Sequence, residues 1–384
     1  MTATADNVLQ RRRGLVAVIA TMVIVNLVYG LTLPLLSLVL DAQGVSKTMN
    51  GLSIVAQASA GVILAPFVPR LIIRVGATRV MQVAAVVAAA MLILLGLTRN
   101  VYIWFPIRFL LGASAAILWS ASEAVINELA VENWRGRILA IYGAAGSAGF
   151  AMGPLILVAT GTSDMTPFVV TAGFILFAGL PLFWVVNSID ADTTDEHPKL
   201  WRLFKLVPYI MVLNLIYAAT IESILAFFPL YGIHIGIGEA RSLSLLTVLA
   251  LGSFVMHVPL GWLADHMDRF LMLVACILVT MIGVLFMPMF VAQPIGGTVY
   301  MLLFGGAEGM LYTLGIILLG QQFRGAELAA ASVLYTGMWG AGTMIGPFVV
   351  GAGLDLFGND ALPYLLFALY ASYLPFLLFG RRAS

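Results

Sequence analysis

Charged residues in this chain are gathered into short clusters, and long apolar stretches lie between them. Uncharged runs cover 14–40, 48–69, 80–98, 138–163, 165–189, 242–264, 270–307, 328–354 and 361–380. Crossing a hydrocarbon core of ~30 Å takes roughly 20 helical residues, so each run is of membrane-spanning length. Three further segments, 101–127, 206–232 and 296–320, have the same apolar character but are interrupted by charge. The pattern predicts twelve transmembrane helices. Lipid leaves backbone groups no water to bond, which favours helices over open sheet. The alternating ten-residue strands of an outer-membrane barrel are missing from the pattern. The expected class is an all-α polytopic membrane protein.

The second half of the pattern repeats the first. Gly112-Ala-Ser-Ala-Ala-Ile-Leu-Trp119-Ser120 aligns with Gly305-Gly-Ala-Glu-Gly-Met-Leu-Tyr312-Thr313, and at the same offset Tyr142, Gly149, Gly153 and Pro154 become Tyr335, Gly342, Gly346 and Pro347. That offset, 193, is about half of the 384 residues. Asn26-Leu-Val-Tyr29 and Asn214-Leu-Ile-Tyr217 echo each other in the first and seventh helices. Duplicated hydrophobic halves are a common construction among secondary transporters. The expected organisation is two pseudo-symmetric six-helix bundles, 1–189 and 206–384, joined by a cytoplasmic linker at 190–205. Within that linker the acidic Asp190, Asp192, Asp195 and Glu196 precede Lys199-Leu-Trp-Arg-Leu-Phe-Lys205, a mix of basic and aromatic residues suited to a short interfacial helix. A partner-binding segment is the other reading of this stretch.

Composition agrees, with 61% hydrophobic and 10% charged residues and a mean hydropathy of +1.04. A soluble chain of this length would carry far more charge. The net charge of +1 conceals an asymmetry. With the N-terminus inside, fifteen of the 19 Lys and Arg fall in inner segments, while Lys47, Arg99 and Arg241 fall in outer loops and Arg108 within the membrane. Both termini are therefore expected in the cytoplasm of a bacterium, the chain crossing its inner membrane many times. Arg11-Arg12-Arg13 reads as the positive-inside anchor, because the run after it is too long for an export signal. The single Cys276 gives neither a disulfide frame nor a thiolate metal site. There is no nucleotide-binding loop, metal cluster or nucleophile constellation in the pattern, so no enzyme, metal, cofactor or nucleic-acid partner is expected. The expected partners are a small-molecule solute, protons and the lipid bilayer, with the protein a monomer.

Glycines have a packing use here. Gly143, Gly146, Gly149 and Gly153 fall on or near one face of helix 5, as do Gly340, Gly342, Gly346 and Gly351 in helix 11. Small residues let helices approach closely. Pro154 and Pro347 mark matching points where the helix can bend.

A duplicated twelve-helix chain resembles the major facilitator superfamily, and several motifs carry the resemblance. Gly261-Trp-Leu263-Ala264-Asp265-His-Met-Asp268-Arg269 is similar to the family's cytoplasmic loop signature Gly-x-Leu-Ala-Asp-Arg-x-Gly-Arg, with Asp268 in place of a glycine. The matching first-half loop, Pro69-Arg70-Leu-Ile-Ile73-Arg74-Val-Gly76, has Ile73 in the acidic position. Arg108-x-x-x-Gly112 matches the helix 4 motif, and Gly149-x-x-x-Gly153-Pro154 resembles part of the helix 5 signature of proton antiporters. A closer resemblance, to the YcaD-like group of functionally undefined facilitators, rests on Arg108-Phe-x-x-Gly112, Trp119-x-x-x-Glu123, Asn133-x-Arg135-Gly136-Arg137 and Pro229-Leu-Tyr231.

Arg108, Glu123, Glu222 and Glu308 are charges inside apolar segments. Each costs ~2.5–3.5 kcal/mol near a helix centre on insertion scales, so they are expected to face a wet cavity or one another. Glu308 is about midway along helix 10, between Phe304 and Tyr312 at one-turn spacing. Glu222 lies beyond the middle of helix 7, toward the outside, after Asn214 and Tyr217. Gly112, Ala115, Trp119 and Ser122 continue the face of Arg108. In the family fold helices 1, 4, 7 and 10 line the cavity. The resemblance therefore implies Asn26, Tyr29, Arg108, Trp119, Asn214, Tyr217, Glu308 and Tyr312 as substrate-binding residues.

Burial favours the protonated acid, the property a reversible carrier needs, so Glu222 and Glu308 are the expected proton carriers. Arg108 is expected to bind an anionic group or to pair with one of them. The alternatives are a fixed Arg108–Glu308 pair and, for Glu222, an acid near the outer water layer. Glu123, about 22 Å along its helix from Arg108 at 1.5 Å per residue, is expected to have a gating or structural role through Arg135, Arg137 or the basic first loop, with direct proton coupling as the alternative. Asp265 is expected near the N-terminal end of helix 5, where the helix dipole favours an anion. Arg70 or Arg74 is expected to reach Glu327 near the start of helix 11, and with Arg269 these are the expected gating residues. His257 reads as structural or as a proton relay, and Gln57 as a cavity hydrogen-bonder or interhelical contact. The function expected is proton-coupled export of a small organic solute by alternating access. Proton-coupled uptake of an organic anion is the rival, and a transporter-like sensor without flux the third reading.

Overall fold

The computed structural model describes residues 2–129, 134–180 and 200–380, and among them there is no strand. The helices are α1 (Thr2–Ala42), α2 (Lys47–Leu64), α3 (Val68–Val75), α4 (Ala77–Leu97), α5 (Val101–Leu129), α6 (Arg135–Thr160), α7 (Thr166–Gly179), α8 (Leu200–Leu206), α9 (Pro208–His234), α10 (Glu239–His266), α11 (Arg269–Phe290), α12 (Pro294–Gln322), α13 (Gly325–Phe357) and α14 (Leu362–Gly380). Ten of these are long and apolar enough to cross a bilayer, and α2 with α3, bent by 62° at their junction, can make an eleventh. Twelve crossings were expected. The remaining apolar helix, α7, has 14 residues and stops at the border of the described chain. The short interfacial helix expected near Lys199 is α8, while the acidic stretch before it lies outside the described residues.

Local chemistry sets several boundaries. Proline occupies the first turn of α7, α9 and α12, where its missing N–H costs nothing. Gly161 and Gly358, at φ of 72° and 84°, end the two corresponding helices α6 and α13 in a backbone conformation that suits glycine. Asp268 caps α11, its carboxylate accepting from the Leu271 N–H at 2.7 Å. The residue that departs from the family's loop motif thus has a structural use of its own.

Contacts gather the chain into two units, Met1–Val39 with Ala56–Thr193, and Leu40–Val55 with Thr194–Ser384. In the second unit α9 is buried on nearly every face, the mark of a helix apolar all round and surrounded by others. It packs against α10, α12, α13 and α14, and α11 packs on α12 and α14. The turn between α1 and α2 is grouped with this unit, and Asp355 of α13 shows why. Its carboxylate accepts from the Lys47 N–H at 2.9 Å, the Thr48 N–H at 2.8 Å and the Thr48 hydroxyl at 2.6 Å, capping α2. In the first unit α4 packs against α5 and α7.

The duplication is visible in backbone contacts. Gly112 sits against the Gln57 carbonyl and Gly305 against that of Leu249. Gly149 meets the Val23 carbonyl and Gly342 that of Leu215, while Gly153 meets Leu27 and Gly30 and Gly346 meets Ala219. At each of these positions a Cβ would overlap backbone, so the helices cross at distances only glycine allows. Gly143, which the sequence placed with them, faces open space.

Candidate functional site

The membrane-embedded charges fall in two clusters, one in each unit. In the first, Arg108 of α5 is fully buried, and its Nε donates to Gln57 Oε1 of α2 at 3.1 Å. Tyr29 of α1 is within electrostatic reach of the guanidinium and its ring lies 6.3 Å from that of Phe150. Asn26, one turn before Tyr29, donates to the Met22 carbonyl of its own helix at 3.0 Å. Three turns along α5 from Arg108, the Trp119 indole N–H donates to Glu123 Oε1 at 2.8 Å, with both side chains exposed. Expected partners for Glu123 were Arg135, Arg137 or the first loop. Trp119 is one partner of Glu123; the Arg135 side chain lies outside what the structure describes, and Arg137 lies over the Trp134 ring at 5.0 Å.

The second cluster is denser. Glu308, midway along α12, is 1% exposed, and its Oε1 accepts from the Tyr370 hydroxyl of α14 at 2.8 Å and from the Thr220 hydroxyl of α9 at 2.9 Å. Thr220 Oγ1 is also within reach of the Ile216 and Tyr217 carbonyls, so its one hydrogen serves a single acceptor at a time. The other carboxylate oxygen, Glu308 Oε2, is buried and has no hydrogen-bond partner among the described residues. An unsatisfied buried acceptor costs ~1–3 kcal/mol, and more when charged. A proton on Oε2 removes the charged part of that cost, and a cationic donor bonded to Oε2 satisfies the oxygen as well. Glu222 falls at the centre of α9 and is 1% exposed, so it is buried rather than near a water layer.

Aromatic rings pack one turn away from this carboxylate. Tyr217 of α9 and Tyr312 of α12 have centroids 5.8 Å apart, and Trp339 of α13 lies 5.4 Å from Tyr217 and 5.6 Å from Tyr312. Tyr335 backs Tyr312 at 5.7 Å and donates its hydroxyl hydrogen to the Tyr312 carbonyl at 3.0 Å. Asn214, one turn before Tyr217, is fully buried and donates to the Tyr335 carbonyl at 2.6 Å. Its Oδ1 has no partner among the described residues. His257 of α10, half-buried, contacts the Ser253 carbonyl and bonds Thr313 Oγ1 at 2.8 Å, joining α10 to α12.

The structure brings Asn214, Tyr217, Glu308 and Tyr312 together, and adds Thr220, Tyr370, Trp339 and Tyr335. The expected gating residues lie at helix ends. Arg74 is exposed in the last turn of α3, Glu327 is exposed in the first turn of α13, and Arg269 opens α11. Asp265 is in the last turn of α10, and its side chain lies outside what the structure describes.

Comparison with known proteins points one way. The family model described as Major Facilitator Superfamily matches residues 18–311 and 242–384. The uncharacterized MFS-type transporter YfkF of Bacillus subtilis is 24% identical over 362 residues, covering 92% of each chain. The uncharacterized MFS-type transporter YcaD of Escherichia coli is 25% identical over 308 residues, 79% of each. Among solved structures, the nucleoside transporter NupG superposes with a TM-score of 0.80 at 12% identity, covering 96% of this chain and 98% of that one. A bacterial homologue of the human lysosomal transporter Spinster, inward-facing and unoccupied, gives 0.69 at 14% identity over 97% and 95%. At these identities the structural likeness carries the fold alone.

Proposed function

This chain belongs to the major facilitator superfamily, so it is a secondary transporter of a small molecule rather than an enzyme, and on that premise we propose that it exports an organic solute in exchange for protons. The observation that carries this reading is Glu308, a carboxylic acid sealed among helices with two donors on one oxygen and none on the other. Such a group can load and release one proton without rearranging its neighbours. Glu222, equally buried one helix away, is the second proton site. Groups within electrostatic reach of Glu308 are Tyr217, Tyr300 and Tyr370, all neutral as phenols, so no fixed cation among them ties up the carboxylate. One charge moved through ~100 mV supplies ~2.3 kcal/mol, enough to drive a useful concentration ratio.

The solute alternates between the two sides of a bacterial cytoplasmic membrane, with both chain ends in the cytoplasm. Substrate contacts are assigned to Asn214, Tyr217, Tyr312 and Glu308, and to Asn26, Tyr29, Arg108 and Trp119. Glu123, Arg74, Asp265, Arg269 and Glu327 are assigned to gating, and the protein works as a monomer. Arg108 supports a second reading, because a fully buried guanidinium bonded to Gln57 is a fixed positive charge suited to proton-coupled uptake of an organic anion.

The test is Glu308→Gln in proteoliposomes. Transport driven by a pH gradient is expected to vanish while the melting temperature stays within a few degrees of wild type. Transport that continues unchanged removes Glu308 as the coupling site.

A further inference from the structure

The second cluster also has a chemical preference. Its helices α9 and α12 bury two carboxylates, Glu222 and Glu308, while among the described residues of this unit Lys and Arg stand in the short α8 or at helix ends, as with Lys205, Arg241, Arg269 and Arg324. Glu308 Oε2 and Asn214 Oδ1, buried beside the rings and without a hydrogen-bond partner among the described residues, are both acceptors. They flank the rings of Tyr217, Tyr312 and Trp339 by one helical turn on either side, since Asn214 precedes Tyr217 and Glu308 precedes Tyr312 at helical spacing. Tyr312 is 36% exposed, Tyr217 and Trp339 are half-buried and Tyr335 behind them is 3% exposed, so the cluster is reached from the Tyr312 side. The Tyr335 hydroxyl and the Asn214 amide tie α12 and α9, which carry Tyr312 and Tyr217, to α13, which carries Trp339. A group entering here meets aromatic faces, which carry negative charge density, and then acceptors. Both attract a cationic donor.

We propose that Tyr217, Tyr312, Trp339, Asn214 and Glu308 form a binding site for a protonated amine carried on a flat aromatic body. The rings take the flat body by stacking and the ammonium by cation–π attraction, and the ammonium N–H groups bond Glu308 Oε2. The inference rests on the export reading, since it names the substrate class for that site, and it links the two cargoes directly. Ammonium and proton seek the same oxygen, so loading one displaces the other.

The test uses three probes of one shape, 1-naphthylmethylamine, 1-naphthalenemethanol and 1-naphthoic acid, with the purified full chain. Binding is followed by the shift in melting temperature, because a ligand of the folded form raises it by mass action. The amine is expected to give the largest shift, and its affinity to fall about tenfold in Trp339→Leu and in Tyr312→Leu, a typical loss for one cation–π partner. Tyr312→Phe, which keeps the ring and the fold, is expected to retain binding. An amine shift no greater than that of the alcohol, or leucine variants that bind as wild type, overturns the inference. Flux in proteoliposomes separates the two readings. If the acid is transported with proton coupling and the amine is not, the substrate class fails and the transporter stands. If the amine binds but no probe exchanges across the membrane, the site stands and the export reading fails.

Discussion

Glu308 was legible because a carboxylate in an apolar run is expensive, and Tyr217, Asn214 and Tyr312 because the duplication repeats their positions. Thr220, Tyr370 and Trp339 were not. An uncharged tyrosine in an apolar helix raises no cost that a sequence can display, and a threonine hydroxyl has an acceptor in its own helix, as Thr220 has in the Ile216 carbonyl. Tyr370 also sits in α14, outside the four helices that the family resemblance assigns to the cavity. Its bond to Glu308 can be tested by coupling. Hydrogen bonds to charged groups contribute about 1.5–3 kcal/mol, so Tyr370→Phe is expected to lower the melting temperature of the wild type. In a Glu308→Leu background the same change is expected to cost much less, leaving a coupling energy on the order of 0.5–3 kcal/mol. Equal costs in both backgrounds would mean that the tyrosine acts independently of the carboxylate.

Among the elements, glycine spacing foretold which helices cross but not which glycines matter. Periodicity places Gly143 with Gly149 and Gly153, yet only the latter two press on backbone, because α1 and α6 are in tight contact along only part of their length. Gly149→Ala and Gly342→Ala are each expected to destabilise the protein by about 1–3 kcal/mol through overpacking. Gly143→Ala has open space and is expected to be neutral or to gain up to about 1 kcal/mol of helix propensity. Thermal melts of the three variants check this ordering. The α2 cap was invisible for another reason. Asp355 lies 308 positions from Lys47, and no local pattern joins them. Asp355→Ala is expected to cost about 0.5–2 kcal/mol, and Asp355→Asn less, since an amide oxygen still caps. A melt unchanged by the alanine would show that the three bonds contribute nothing.

For the whole molecule, duplication and divergence divide the work. Both halves keep the same glycine crossings, Gly112 with Gly305, Gly149 with Gly342 and Gly153 with Gly346, and these fix the architecture. The charges do not repeat. At the 193-residue offset Arg108 meets Met301, and Glu308 meets Ala115. One unit therefore buries a guanidinium and the other buries carboxylates, so the two halves differ in chemistry while sharing a scaffold. The fold could be read from the sequence because lipid leaves backbone few options. The cargo could not, because it depends on which rings and acceptors meet in space. The measurement that tests proton-coupled transport most directly follows internal pH with trapped pyranine in proteoliposomes, while solutes from a metabolite and drug library are added. At least one solute is expected to drive protons across the membrane in the wild type and to drive none in Glu308→Gln. Solute flux that leaves internal pH unchanged and proceeds equally in the variant would contradict the account.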